Sequence, residues 1–530
     1  MSALCHCLGL SVMNNFPSNN APAIIRSLII YAVGVPLAVV IGYLLTNPVD
    51  YSTLGFFGVL ALVLVFPLLL RWHHPLLLLS WNASAVMFFL KGSPSFWMVM
   101  VALSLGISVL ERILSPNKQF VRVPQLTWPL IVMFAVVVVT AKLTGGFGLR
   151  SFGGEVYGGR KYLLTLVGIL SYFALTAQKI PAKQTRLALA LFFLGGLTAG
   201  IGDLFSVVPA AFRFIFWIFP PSSLYYGGVE LGTTRLNGTQ MVSTSVFFYM
   251  MARYGIRGIF NLNKPWRLIL FFLFSGVGLL GGYRGVYILM AGTFVFQFFL
   301  EGLHRTKLLP IFAFCGILTM AVAIPLVSKL PFTVQRSLAF LPLPVDPIAK
   351  ESAKTTVEWR MDLWKAVLPQ IPQHLWLGKG YAISMEDFQF MGVDSAFHAV
   401  DPGQQGLALA NDYHNGWITV LITFGLWGML AFLWFAIASI WVLYRNYRHG
   451  DPNLAIINCF LLAYFLAHFL MDMSFGGGGL SGDLAVLIGS VGLSVVFNGG
   501  VCRPAPQTAQ IKSPPRRVNP FPRPLPTFQR

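Results

Sequence analysis

Charge is the scarcest commodity in this sequence. Only 10% of its 530 residues are Asp, Glu, Lys or Arg, while 56% are hydrophobic. Soluble domains carry roughly 25% charged residues, so a soluble globular chain is excluded, and length is no guide to domain count. Cysteine is also sparse. Of Cys5, Cys7, Cys315, Cys459 and Cys502, two lie inside apolar runs and no pair brackets a loop, which excludes a disulfide framework. Cys5-His6-Cys7 has the look of a ligand cluster but lacks two further ligands at usable spacing, so no metal site is expected. No Asp-x-Asp pair occurs anywhere, which removes the usual carboxylate clamp for the divalent metal of a sugar nucleotide. A Walker-type phosphate loop is missing, since Gly378-Lys379-Gly380 has neither the spacing nor the Ser/Thr. No internal repeat of the kind common in transporters is present. Gly276-Val-Gly-Leu-Leu-Gly281 matches a dinucleotide fingerprint as a string, but it lies inside an apolar run, where small residues let helices approach closely. It reads as packing, and no cofactor is expected.

What the chain has in quantity is apolar runs of spanning length. Its mean hydropathy is +0.70, and about 20 apolar residues suffice for a helix to cross the hydrocarbon core. Fourteen candidate spans lie near 24–45, 54–70, 75–90, 96–110, 126–143, 162–177, 187–207, 239–253, 266–281, 285–301, 308–325, 426–444, 455–472 and 483–498. Residues 266–301 are split at Gly281-Gly282-Tyr283-Arg284, because one helix of that length would overshoot the bilayer. Phe212–Phe219 stops at Pro220-Pro221 and reads as re-entrant or interfacial. The expected fold is all-α: a polytopic helical membrane protein of about 12–14 transmembrane helices, with a large external loop containing amphipathic helices.

The net charge of +19 invites a nucleic-acid reading, but its distribution argues for membrane orientation and no nucleic-acid partner. With both termini cytoplasmic and the spans alternating, the cytoplasmic segments hold twenty-one basic residues against three acidic ones, Glu111, Glu301 and Asp451. That is the positive-inside bias. Three segments are too long for simple connectors, namely 145–161, 208–238 and 326–413, and all fall on the external face; long loops in compact proteins are usually functional. The organisation is therefore N-terminal spans over 1–207, a core over 208–445 that includes the external loop 326–413, C-terminal spans over 446–499, and a basic, Pro-rich cytoplasmic tail over 500–530. The tail suits contact with anionic lipid.

Residues that bear chemistry gather on the external side. Val357–Ile371 reads as an amphipathic helix, with Val357, Met361, Trp364, Val367, Leu368 and Ile371 at three- and four-residue intervals. Arg360 sits in that stripe, either snorkelling its charge to water or pointing a guanidinium at an anion. Arg284 begins a span at its external end, and Arg235 lies in Arg235-Leu-Asn-Gly238 just before another. Charges that persist near a membrane tend to be functional, so Arg235, Arg284 and Arg360 together suggest an anion site. Asp412-Tyr413-His414-Asn415 closes the long loop where the chain re-enters the membrane. His398 and His374 read as ordinary loop residues, and Asp203 as a hydrogen-bonded interfacial carboxylate. Asp362, Asp401 and Asp412 are the carboxylates to re-examine should a metal be required.

Taken in order, these pieces resemble the O-antigen ligase-like membrane glycosyltransferases. The matching pieces are Arg235-Leu-Asn-Gly238, Gly282-Tyr-Arg284-Gly, Arg360-Met-Asp-Leu-Trp364, Leu377-Gly-Lys-Gly-Tyr381, and His414-Asn415 followed by Phe424-Gly-Leu-Trp-Gly428. They cover about residues 230–445. Tyr283 stands where the family pattern usually has Ser. The resemblance implies a glycan donor carried on a polyprenyl diphosphate, with Arg235, Arg284 and Arg360 binding the diphosphate. His414 would serve as the catalytic group, and the acceptor would be a hydroxyl of lipid A-core, a growing glycan or another molecule. It also implies a bacterial inner membrane with the active site facing the periplasm. A polymerase of the same superfamily joins repeat units with the same parts. A transporter of a lipid-linked glycan or small anion is the alternative from another class.

Overall fold

The computed structural model describes residues 51–90, 92–115, 119–146, 159–221, 229–230, 233–234, 236–382, 412–475 and 479–504, with part of 31–43. Cys5-His6-Cys7 and most of the tail 500–530 lie outside them. Two units are distinguished, Met1–Trp72 and His73–Arg530. The first contributes helical turns within 31–43 and the beginning of the 30-residue helix α1 (Tyr51–Ser80). All else described here belongs to the second unit.

There the apolar runs become α2 (Phe96–Leu114), α3 (Pro124–Thr144), α4 (Gly159–Leu175), α5 (Thr185–Leu194), α6 (Asn237–Ile259), α7 (Pro265–Val277), α8 (Arg284–Leu300) and α9 (Leu308–Leu326). Two loop helices follow, α10 (Phe332–Leu338) and α11 (Pro347–Val367), and then α12 (Gly416–His449), α13 (Ala455–Phe475) and α14 (Gly479–Asn498). Local chemistry sets several starts. Ser95 caps α2 by accepting from Met98 N, and Pro124 and Pro265 sit at first-turn positions, where a missing N–H costs nothing. Among the described residues, six helices are long and apolar enough to cross a membrane, with Pro265–Gly281, Arg284–Leu300 and Gly482–Asn498 as shorter apolar helices. The two-residue strands β1 (Val229–Glu230) and β2 (Thr233–Thr234) pair antiparallel. The chain is an all-α polytopic membrane protein.

One expected span is corrected. The run near 75–90 is not a helix of its own: α1 continues unbroken to Ser80, and residues 81–90 and 92–95 are irregular. The reason is lateral bonding. Asn82 Nδ2 donates to Phe192 O at 2.7 Å, Ser84 N to Thr198 Oγ1 at 3.0 Å and Val86 N to Ile218 O at 2.8 Å. Neighbouring segments thus supply partners that an extended helix would have supplied. The split at Gly281–Arg284, by contrast, stands: residues 278–281 tighten to a 3₁₀ turn and Gly282 takes φ 74° before α8 begins. The glycine string is packing, with Gly278 against Ser243 and Tyr287 and Gly281 against Gln240. Residues 212–219 form no span, only a short helix at Ile215–Ile218 beside exposed Phe212, Phe214 and Trp217.

Two long helices break at a glycine, and in each the freed backbone groups find partners elsewhere. In α6, Gly255 has φ 63°, and Glu301 accepts from Ile256 N at 2.9 Å. In α12, Gly425 has φ 65°. There the Leu377-Gly-Lys-Gly-Tyr381 stretch enters the break: Lys379 N donates to Ile422 O at 2.7 Å, Gly380 N to Thr423 O at 3.0 Å, and Leu426 N to Leu375 O at 2.6 Å. At their far ends α12, α13 and α14 are joined by buried asparagines, with Asn446 Nδ2 donating to Ser494 Oγ and Gly500 O, and Asn458 Nδ2 to Asn446 O. α9 stands apart from this packing, with only 6% of its apolar window buried.

Candidate active site

Three arginines on three different elements converge. The turn over Gly281 and Gly282 delivers Arg284 as the first residue of α8. Against that turn rests α10, whose Ser337 Oγ donates to Leu279 O at 3.1 Å, and α10 carries Arg336. Gln335 Oε1 on the same helix accepts from Asp346 N at 2.7 Å, and Asp346 in turn caps α11, the carrier of Arg360. Arg284 lies within electrostatic range of both Arg360 and Arg336. Like charges within range of one another repel, and an anion placed among them would offset that repulsion. Arg360 is half-buried, and its Nε is buried without a hydrogen-bond partner. Burial lowers the pKa of Arg360, and the Asp412 carboxylate acts the other way. A guanidinium stays charged through any such shift at working pH.

The expected amphipathic helix over Val357–Ile371 exists, but its buried face is rotated from the one read in the sequence. Leu363 and Val367 are buried and pack with Tyr413, Ile418 and Ile422, flanked by Trp359, Trp364 and Ile371. Val357, Met361 and Leu368 are exposed instead. The helix has apolar residues on two sides, and the side that docks is the one facing the start of α12. It also ends sooner: α11 stops at Val367, and a 3₁₀ turn leads to a short helix at Ile371–His374.

His414 sits where α11 meets α12. Its φ of 49° makes it, with Ser93, one of two non-glycine residues in the left-handed region among the described residues. Such a conformation costs about 1–3 kcal/mol and persists only where surroundings impose it. Here they do. His414 N donates to Asp412 Oδ1 at 3.3 Å, the buried Tyr413 gives its carbonyl to Trp364 Nε1 at 2.7 Å, and Asn415 Oδ1 caps α12 by accepting from Ile418 N at 3.2 Å. The imidazole packs edge-on against Trp359 at 5.6 Å between centroids. Trp359 precedes Arg360 in α11, so one helix positions both the ring that holds His414 and a guanidinium of the cluster.

Of the other sequence candidates, Arg235, Asp401 and His398 lie outside the described residues. The neighbour of Arg235, Leu236, donates its N–H to Leu280 O at 3.4 Å, beside the turn that leads to Arg284. Asp362 is an exposed partner of Lys365 at 3.1 Å. His374 ends its short helix, where burial and then Lys379 lower its pKa. Asp203 is the hydrogen-bonded carboxylate expected of it: it accepts from Gly238 N at 3.1 Å and from Thr239 Oγ1 at 2.8 Å, capping α6.

Sequence reading missed four charged residues. Arg336 had no motif to mark it. Lys161 belongs to the N-terminal half, which resembles the family only as spans. Asp472 and Asp483, at the facing ends of α13 and α14, interact with each other, and Asp483 also with Asp412. The C-terminal end of α9 and the 339–345 connection line an open cleft of about 670 Å³ that includes Phe340, Leu343, Val345 and Lys350.

These features define a class: a polytopic α-helical membrane protein with clustered guanidiniums, one of them on the helix that packs against a conformationally held histidine. Residues 269–433 match a family profile described as O-Antigen ligase. That stretch is similar to the O-antigen ligase family, and it contains Arg284, Arg336, Arg360 and His414. No curated protein matches the chain.

Proposed function

We propose that the protein transfers a glycan from a polyprenyl diphosphate to an acceptor hydroxyl at the external face of a bacterial inner membrane. The observation that carries this reading is the convergence of Arg284, Arg336 and Arg360, with the buried Nε of Arg360 unpartnered, on a helix whose Trp359 packs against His414. A lipid diphosphate is the anion that suits it. As the acceptor oxygen attacks the anomeric carbon, the bond from that carbon to the diphosphate oxygen breaks and its electron pair goes to the diphosphate. Guanidiniums fixed beforehand stabilise that charge through bidentate contacts without a metal. His414 takes the acceptor's proton, a task suited to a side chain that titrates near neutrality. Arg235 is assigned to the same diphosphate by its place in the sequence motif. The exposed apolar residues Val357 and Met361 of α11, with Leu368 just beyond it, suit the surrounding lipid and prenyl chain.

The basic bias of the segments after residue 95 favours a periplasmic placement of residues 326–413 and a cytoplasmic one for the tail. Lipid A-core, a growing glycan or another hydroxyl compound would be the acceptor; a growing glycan would make the enzyme a polymerase. The test is to supply membranes containing the protein with lipid-linked glycan and candidate acceptors, then identify the product. Transfer that depends on Arg284, Arg360 and His414 supports the reading, and movement of intact lipid-linked glycan across the bilayer without transfer would replace it with the transporter reading.

A further inference from the structure

The junction between α6 and α7 lies at the end of the bundle opposite Arg284. α6 starts beside the 278–281 turn, where Leu236 N donates to Leu280 O, and α7 runs from Pro265 back to that same turn. Four basic residues gather at the far junction: Arg253 and Arg257 in the last two turns of α6, Lys264 in the connection, and Arg267 in the first turn of α7. Among the described residues none of the four forms an ion pair. The carboxylate that does reach this junction, Glu301, accepts from Ile256 N at 2.9 Å, Arg257 N at 3.4 Å and Gln297 Nε2 at 2.7 Å, so it is spent on the backbone break at Gly255.

Two of these guanidiniums are held by aromatic rings instead of acids. The guanidinium carbon of Arg267 lies 4.1 Å from the centre of the Tyr254 ring and 5.5 Å from that of Trp266, and that of Arg253 lies 5.3 Å from Tyr254. The two rings meet edge-on at 6.0 Å. Arg267 Nη1 donates to Gly258 O at 3.1 Å, while its Nε is buried with no hydrogen-bond partner. A cation over a ring face is attracted without being neutralised, so Tyr254 gathers two positive charges with a donor left over. The turn between the helices is fixed by Lys264 N donating to Asn261 O at 2.9 Å and Asn263 N to Asn261 Oδ1 at 3.0 Å. Trp266 and, further along α7, Ile269, Phe272 and Leu273 are exposed at helical spacing and form one outward apolar strip. Basic donors and a tryptophan at the mouth of an apolar strip suit a lipid with an anionic head, its phosphate at the guanidiniums and a chain along α7. A zwitterionic head would bring a cation of its own among four basic residues, and a soluble phosphate would gain nothing from the strip.

We propose that the α6–α7 junction binds an anionic phospholipid of the surrounding bilayer, its phosphate held between Arg253 and Arg267 across Tyr254. The site is separate from the candidate active site and does not depend on the glycan-transfer reading. The experiment is native mass spectrometry of the full-length protein in detergent, titrated with phosphatidylglycerol or with phosphatidylcholine of the same chains. Wild type should retain phosphatidylglycerol in preference. The double variant Arg253→Gln/Arg267→Gln should weaken that retention about tenfold or more, the order expected for two basic residues at an anionic lipid. Among the described residues the Arg253 guanidinium makes no hydrogen bond, so Arg253→Gln alone spares the fold and should show a several-fold loss. The charge-matched control is Lys183→Gln/Arg186→Gln. Gly196 packs against Ser245 and Gly200 against Val242, so the chain from α5 onward runs antiparallel to α6 and these exposed side chains lie at the same end of the bundle. The control should retain phosphatidylglycerol as wild type does, and excess inorganic phosphate should not displace the lipid. Equal retention of both lipids by wild type overturns the proposal. So does an equal loss in the control, which would reduce the preference to general surface charge, or displacement by phosphate, which would make this a soluble-anion site. Wild-type retention by Arg253→Gln also overturns it, since a loss seen only in the double variant would then belong to folding.

Discussion

Gly378→Ala should be among the most damaging single-methyl changes in the chain, and its size can be worked from the structure. Gly378 has φ 76°, which an L residue adopts at a cost of about 1–2 kcal/mol. A Cβ there would lie 2.6 Å from the carbonyl carbon of Thr423 and 2.7 Å from Phe424 Cα, both backbone atoms that no rotamer change can clear. The 375–380 segment must therefore draw back from α12, and the bonds from Lys379 N to Ile422 O and Gly380 N to Thr423 O stretch or break. Each such bond is worth about 1 kcal/mol net, and more when its groups are left buried and unpaired. The sum is about 3–5 kcal/mol, enough to lower the unfolding midpoint sharply. The assay is urea unfolding of detergent-purified protein followed by tryptophan fluorescence. Gly316→Ala serves as the reference, because Gly316 lies in α9 with nothing near its Cβ position. A Gly378→Ala protein as stable as Gly316→Ala would refute the idea that this segment clamps the broken helix.

The remaining predictions concern the site and its orientation. Arg284→Lys and Arg360→Lys should each abolish most transfer while leaving membrane levels intact, since an ammonium cannot grip two phosphate oxygens at once; normal activity of both, measured with lipid-linked glycan, would leave Arg360 a snorkelling residue. His414→Ala should reduce turnover by about 10²–10⁴-fold without preventing donor binding. In wild type the rate should fall on the acid side, because an imidazolium accepts no proton; Arg360 cannot cause that limb, since lowering pH only keeps a guanidinium charged. An unchanged pH profile in His414→Gln at full activity would remove proton transfer from its duties. Transfer should survive EDTA at full rate, and a strict Mg²⁺ or Mn²⁺ requirement would redirect attention to Asp412 and its neighbours. Impermeant thiol reagents should label a single cysteine at Lys350 in intact cells and not one at Ser513; the reverse pattern would invert the topology.

The spans were legible because bilayer solvation imposes a length and polarity that composition reveals directly. The run at 75–90 was misread for the same reason: hydropathy reports an apolar environment, while helix formation also depends on which partners the backbone finds, and Asn82, Ser84 and Val86 find theirs on other segments. Arg284, Arg360 and His414 stood out as polar residues at apolar boundaries. The docking face of α11 did not, because apolar residues stand on two of its sides, and periodicity cannot tell Leu363 and Val367 from Met361 and Leu368. Arg336 and Lys161 were illegible for another reason. Each is an ordinary basic residue until α10 is laid on the 278–281 turn and α4 is brought beside Tyr381. The break at Gly425 likewise depends on a segment nearly fifty residues earlier in the chain.

The central claim is that clustered guanidiniums receive the charge of a departing lipid diphosphate. The most direct measurement uses the purified protein in vesicles with a polyprenyl-diphosphate-linked glycan and a hydroxyl acceptor, following glycosylated acceptor and free polyprenyl diphosphate together. Equal, simultaneous appearance of both products, lost in Arg284→Lys and Arg360→Lys, is the expected result. Glycosylated acceptor formed at an undiminished rate by both lysine variants, or no polyprenyl diphosphate released by an enzyme that makes product, would contradict the account.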